Sequence, residues 1–178
     1  MNQPDYDTVA EPRSRSRMLQ TMPVFGGLRE GVLDFLLESA RRVQVDTYRY
    51  FYREGDPASS LFVLERGQVQ LLKRWQGRDY RLKTLETGDC FGQVALIDLQ
   101  PRNTSSLAVE SSCAIEISDQ NLYQLYEHDK EQLMLLRMNM AREVCRRLRE
   151  ADDRAFAADM SALQVKKPLS AGGERQPD

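Results

Sequence analysis

Apolar positions change period twice along this chain. Val32, Leu33, Phe35, Leu36, Leu37 and Ala40 recur at helical steps, with Arg29, Glu30, Asp34, Glu38 and Arg41 largely opposite, the pattern of an amphipathic helix. From Val43 to Ile117 the pattern shortens to alternation and β-branched residues accumulate. Gly55, Gly67, Gly77 and Gly88 punctuate this stretch every ten to twelve residues. Short strands broken by tight turns at that interval predict an antiparallel sandwich or jelly roll. The predicted strands are Val43–Phe51, Leu61–Glu65, Gln68–Arg74, Arg81–Leu85, Ser105–Val109 and Cys113–Ser118. Helical spacing then returns. A short helix is predicted over Asn121–His128 and a long one from about Lys130 to Met160, since no Gly or Pro occurs between Arg102 and Lys167. Leu133, Leu136, Met140, Val144 and Leu148 form the apolar stripe of the long helix, and Met134, Met138, Ala141 and Cys145 widen it. A stripe that broad suits packing on the sheets or pairing with a second copy as a homodimer. The expected class is α+β, an antiparallel β-roll with an N-terminal helix and a long C-terminal helix.

The two ends lack this periodicity. Residues 1–17, closing in Arg13-Ser14-Arg15-Ser16-Arg17, and residues 161–178 have the composition of disordered tails, leaving one domain over 18–160. A net charge of -2 provides no global field for nucleic acid or anionic lipid. No apolar run approaches a membrane span, and the N-terminus is polar rather than of signal-peptide type. A cytoplasmic protein is expected. Cys90, Cys113 and Cys145 form no CxxC pair and read as buried thiols in a reducing compartment. A single histidine, His128, in a polar helix junction, argues against a metal-dependent jelly-roll enzyme, which needs several. No Ser/His/Asp or Cys/His constellation, paired-acid motif or Walker-type loop appears, so no enzyme, no metal and no cofactor are expected.

The chemistry concentrates in Phe91-Gly92-Gln93-Val94-Ala95-Leu96-Ile97-Asp98-Leu99-Gln100-Pro101-Arg102-Asn103-Thr104-Ser105. A Phe-Gly turn opens a short apolar helix, and a loop then delivers a Pro-Arg pair. Backbone N–H groups near Gln93, Val94 and Ala95, with one arginine close in sequence, form an anion cradle. Gly92 lets the backbone approach a ligand. Asn103 and Thr104 add donors after Arg102. A structural salt bridge from Arg102 to Asp98 is the alternative.

This segment resembles the phosphate-binding cassette of the cyclic-nucleotide-binding domain family, which reads Phe-Gly-Glu-x-Ala-Leu, a spacer, Pro-Arg and small residues. The Gly55–Val69 stretch, with its Gly-Asp turn, aromatic-aliphatic strand and Gly-x-Val turn, resembles the landmark that precedes the cassette in that family, and the likeness spans about residues 19–150. The resemblance implies a receptor for a cyclic nucleotide, cAMP ahead of cGMP. Its ligand would be held by Gly92, Gln93, Val94, Ala95, Arg102, Asn103 and Thr104, with Arg102 on the phosphate. Gln93 stands where the family has Glu; its neutral amide still accepts from a ribose hydroxyl, but more weakly. By analogy, Arg146 and Arg147 on the long helix would face the base, against the alternative of a solvated face tied by Glu143–Arg147 and Arg146–Glu150 pairs. Five arginines and one Glu between Arg137 and Arg149 suggest nucleic acid, yet about eighteen residues follow the long helix, too few for a helix-turn-helix. The expected output is a protein–protein switch acting on an unknown protein effector, with no DNA-binding domain. The rival reading is a degenerate, ligand-free interaction module.

Overall fold

The computed structural model describes the backbone of residues 12–165. Contacts divide the chain into Met1–Glu143 and Val144–Asp178. The first unit opens with α1 (Pro12–Gln20), a 3-10 turn at Pro23–Phe25 and α2 (Glu30–Ser39). Eight strands follow: β1 (Arg41–Val45), β2 (Tyr50–Tyr52), β3 (Ser60–Arg66), β4 (Val69–Trp75), β5 (Arg78–Leu85), β6 (Cys90–Phe91), β7 (Ser105–Ala108) and β8 (Ser112–Ser118). Helix α3 (Gln93–Asp98) lies between β6 and β7, and α4 (Asp119–His128) precedes α5 (Lys130–Val165). The strands form two antiparallel four-stranded sheets, ordered β1-β8-β3-β6 and β2-β7-β4-β5. This is the expected β-roll.

Two cores follow from strand alternation. Leu61 and Val63 of β3, with Ile115 and Ile117 of β8, pack against Leu19, Phe25, Leu33, Leu36, Leu125, Leu133 and Leu136. The alternate positions Phe62, Leu64 and Ala114 join Tyr52, Val69, Leu85 and Phe91 in the second core. Phe62 and Phe91 stack at 5.2 Å between centroids. Each such fully buried aromatic or aliphatic side chain contributes roughly 1.5–3 kcal/mol.

Four expectations are corrected. Residues 12–17, read as tail, belong to α1. Ser16 is buried and donates to Asp34, and Arg15 pairs with Glu65 at 3.0 Å. These contacts stabilise a helix whose own composition is poor. The predicted strand Val43–Phe51 is two strands in different sheets. The chain turns at Asp46–Arg49, with the Arg49 N–H donating to the Asp46 carbonyl (3.0 Å) and Tyr48 at φ 61°, so the turn carries no glycine to announce it. Strand β5 begins at Arg78 rather than Arg81, because Gln76 and Gly77, both at positive φ, close a two-residue hairpin with Trp75 opposite Arg78. The long helix reaches Val165 instead of Met160, as the lack of a breaker before Pro168 allows. The expected tail beyond Val165 lies outside the described residues, as do residues 1–11.

The apolar stripe of α5 is also divided. In the first unit Leu133, Leu136 and Met140 are buried, and Asn139 Nδ2 donates to the Gly26 carbonyl at 2.8 Å. Met134 and Met138 are exposed. In the second unit Leu148, Phe156 and Met160 are exposed, and Arg146 donates to Glu150. Cys90 and Cys113 are buried, but Cys145 is exposed, contrary to expectation, because it lies off the buried stripe. His128 is exposed and stacks on Phe35 at 4.4 Å. No helix among the described residues is long and apolar enough to cross a membrane.

Candidate ligand-binding site

The site grows from a sharp reversal at the end of β6. Gly92 takes the left-handed conformation, φ 82°, and α3 starts at once with no side-chain cap. A Cβ on Gly92 would lie 2.6 Å from Arg102 Nη1 and 3.3 Å from the Ser60 carbonyl oxygen. Glycine therefore serves both the turn and the arginine that packs over it. Leu99, at φ 56°, ends the helix and sends the chain back toward Arg102.

Arg102 is 5% exposed. Nη1 donates to the Gly92 carbonyl (2.8 Å), and Nη2 donates to Ser60 Oγ (3.2 Å). The guanidinium lies 4.3 Å from the Tyr52 ring centroid and 5.6 Å from that of Phe62, a cation–π stack. Nε has no hydrogen-bond partner among the described residues. Nor does any carboxylate there pair with Arg102. The Asp98 bridge is not formed, and Asp98 Oδ1 instead accepts from the Gln100 N–H at 3.1 Å. Burial draws the Arg102 pKa below its ordinary value, against electrostatic support from Tyr52, Glu116 and Asp56. A buried guanidinium without a paired anion is costly, and an anionic guest offsets that cost.

The preceding landmark fixes the arginine's backbone. The Gly55 N–H donates to the Arg102 carbonyl at 2.8 Å, and the Arg102 N–H donates to the Asp56 carbonyl at 2.9 Å. The two sequence landmarks thus meet as a single structural unit.

Gln93 is fully buried, and neither its amide oxygen nor its amide nitrogen has a partner among the described residues. Such a group costs about 1–3 kcal/mol unless something satisfies it. Ala95 is buried and Val94 half-buried. Leu96 packs against the core that contains Leu133, Leu136 and Met140, linking the cassette to the first turns of α5. Thr104 is buried. Asn103 is exposed, and its carbonyl accepts from Lys73 Nζ at 2.9 Å.

Sequence reasoning missed Tyr52, Ser60 and Ser106. Tyr52 and Ser60 support the guanidinium from other strands. Ser106 is fully buried on β7 with its hydroxyl unpartnered among the described residues. A polar residue at an inward position of a strand was the available signal for Ser106; no local pattern marks the other two. Among the described residues no group of three His, Cys, Asp or Glu is placed to hold a metal.

Residues 42–129 match the model of the cyclic nucleotide-binding domain. This chain carries a domain of the cyclic nucleotide-binding family. Its residues are 31% identical to the cyclic AMP receptor protein of Thermus thermophilus over 135 residues, 73% of this chain and 59% of that protein. They are 28% identical to human cGMP-dependent protein kinase 2 over 107 residues, 59% of this chain and 14% of the kinase. The chain therefore spans under two thirds of these relatives. In structure, the Thermus thermophilus catabolite activator protein superposes with a TM-score of 0.68 at 28% identity, covering 77% of this chain and 63% of that one. A cyclic nucleotide-binding domain from Methylobacillus flagellatus gives 0.73 at 20% identity, covering 83% of each, which speaks to the fold.

Proposed function

We propose that this chain is a cyclic-nucleotide receptor, for cAMP ahead of cGMP, which acts as a ligand-controlled switch on a protein partner. The observation that carries the reading is Arg102, buried without a paired carboxylate beside a fully buried Gln93 whose amide lacks partners. A cyclic phosphodiester matches the first and a ribose 2′-hydroxyl the second. Arg102 receives the phosphate, with Gly92, Val94, Ala95, Asn103 and Thr104 shaping its surroundings, and Gln93 accepts from the ribose. Arg146 and Arg147, expected at the base, lie in the second unit, where Arg146 donates to Glu150. Leu96 carries the change from the cassette toward α5. The ligand shifts the equilibrium only by its difference in affinity for the two states.

The second reading, a ligand-free interaction module, is favoured by two features. Arg102 already donates to Gly92 and Ser60, and Gln93 is neutral. Isothermal titration with cAMP, cGMP and cyclic di-GMP separates the two. Saturable heat with cAMP supports the receptor. Silence with all three at millimolar concentration overturns it in favour of the module.

A further inference from the structure

The β4–β5 hairpin carries an exposed surface that the nucleotide site does not use. Strand β4 pairs with β7 only from Val69 to Leu72, so Lys73–Trp75 and their partners Arg78–Tyr80 extend beyond the sheet. Directly paired residues project to the same face, as do positions two apart on one strand. Register therefore places Lys73, Trp75, Arg78 and Tyr80 together, and Leu82 follows at the bulge where the register shifts between Leu71 and Leu72. Trp75 is 66% exposed, Tyr80 49% and Leu82 56%. Residues 73–83 hold five basic side chains against the single acid Asp79, in a chain whose net charge is -2. Lys73 is paired with Glu54, whereas Arg78, Arg81 and Lys83 have no ion-pair partner among the described residues. Among the described residues β5 is an edge strand, bonded to β4 alone.

Charges on an edge commonly guard against unwanted strand pairing. A guard does not require three large exposed apolar side chains among the charges. We infer that this hairpin is a docking site for an extended acidic segment of a partner protein, added as a strand along the free edge of β5. The main chain of β5 supplies hydrogen bonds. Arg78 on the Tyr80 face, Arg81 on the opposite face and Lys83 take the carboxylates, with Tyr80 as an apolar contact. An unpaired backbone edge favours a peptide over a nucleic acid, which has no strand to add. The inference does not depend on nucleotide binding.

Trp75 is the sole tryptophan, so its emission reports directly on this surface. The probe is an acetylated (Glu-Val)5 peptide, compared with the same peptide N-methylated at alternate residues, a ten-residue single-stranded oligonucleotide and phosphatidylserine vesicles. The expected result is a saturable blue shift with (Glu-Val)5, weakened at least tenfold by the R78E/R81E double variant. The N-methylated peptide, tested on the wild-type protein and so independent of any folding defect, gives no shift. No shift with (Glu-Val)5 at millimolar concentration overturns the inference, as does an equal response to the N-methylated form. A response confined to the oligonucleotide or the vesicles overturns it in favour of a polyanion or a lipid surface.

Discussion

Under the proposed function, Arg102 separates ligand binding from folding in this domain. Its side chain makes two hydrogen bonds to protein acceptors, while its place in the chain is held by main-chain bonds from Gly55 and to Asp56. Truncation to alanine leaves those main-chain bonds in place. Arg102→Ala is expected to abolish any cAMP-induced rise in melting temperature, a loss above ~2 kcal/mol of binding, with the melt itself as the measurement. Gln93→Glu restores a charged acceptor and is expected to strengthen cAMP binding by roughly 1 kcal/mol. That gain should vanish for 2′-deoxy-cAMP in parallel titrations. Equal weakening of both ligands would mean that the new charge repels the phosphate. The thiols give a further test. Burial pushes the Cys113 thiol above its ordinary pKa, with Arg42 opposing, so it stays protonated and unreactive. A thiol reagent at mildly alkaline pH should label exposed Cys145 and spare Cys90 and Cys113 until denaturant is added. By linkage, the unfolded thiol releases its proton at lower pH than the folded one. Cys113 therefore lowers stability as pH rises through the ordinary thiol range. At this scale the cassette was legible, because Phe91-Gly92, Ala95-Leu96 and Pro101-Arg102 are contiguous in sequence. Ser60 was not: it lies 42 positions from the arginine it supports, and only the β3–β6 pairing brings that region of β3 beside the cassette.

Among the elements, β3, β4 and most of β5, set between glycine turns, were legible, whereas the two-residue β6 and the reversal between β1 and β2 were not. Tyr48 adopts there a conformation that glycine usually supplies. Helix α1 was hidden for a related reason. Arg13-Ser14-Arg15-Ser16-Arg17 has no helical periodicity of its own, and tertiary contacts to Asp34 and Glu65 set its state. The long helix was visible, but which apolar residues face the roll was not. Leu133, Leu136 and Met140 belong to the core, so they are unavailable as the seam of a dimer. In the first unit, exposed Met134 and Met138 are the candidates. Met140→Glu should destabilise the fold by about 3 kcal/mol or more, since it buries an unpaired charge. Met134→Glu with Met138→Glu should leave the melting temperature nearly unchanged. If α5 pairs with a second copy through this face, the double variant sediments as a monomer where the wild type sediments as a dimer. A wild type that is monomeric at tens of micromolar removes the pairing.

At the level of the whole molecule, the two cores share β3 and β8, whose alternate residues enter one or the other. The cassette touches both: Phe91 lies in the inter-sheet core and Leu96 packs on the helical one. Under the proposed function, that arrangement is the route from the nucleotide to α5. Binding should slow amide exchange over Leu133–Met140 as well as in the cassette. Leu96→Ala should keep cassette protection while reducing it in the helix, and undiminished helix protection would exclude Leu96 as the link. Stabilisation should also follow RT ln(1 + [L]/Kd), about 2.7 kcal/mol at a hundredfold excess over Kd.

The grip on Arg102 has a consequence in time. Under the proposed function, a guanidinium stacked on Tyr52 and anchored to Gly92 and Ser60 needs no search among rotamers when a phosphate arrives. Encounter, rather than ordering of the side chain, then limits capture. Stopped-flow traces should show an observed rate linear in nucleotide concentration, without a plateau or lag. A receptor built this way follows a rising signal as fast as diffusion delivers it, and its memory of a fading one is set entirely by the escape rate.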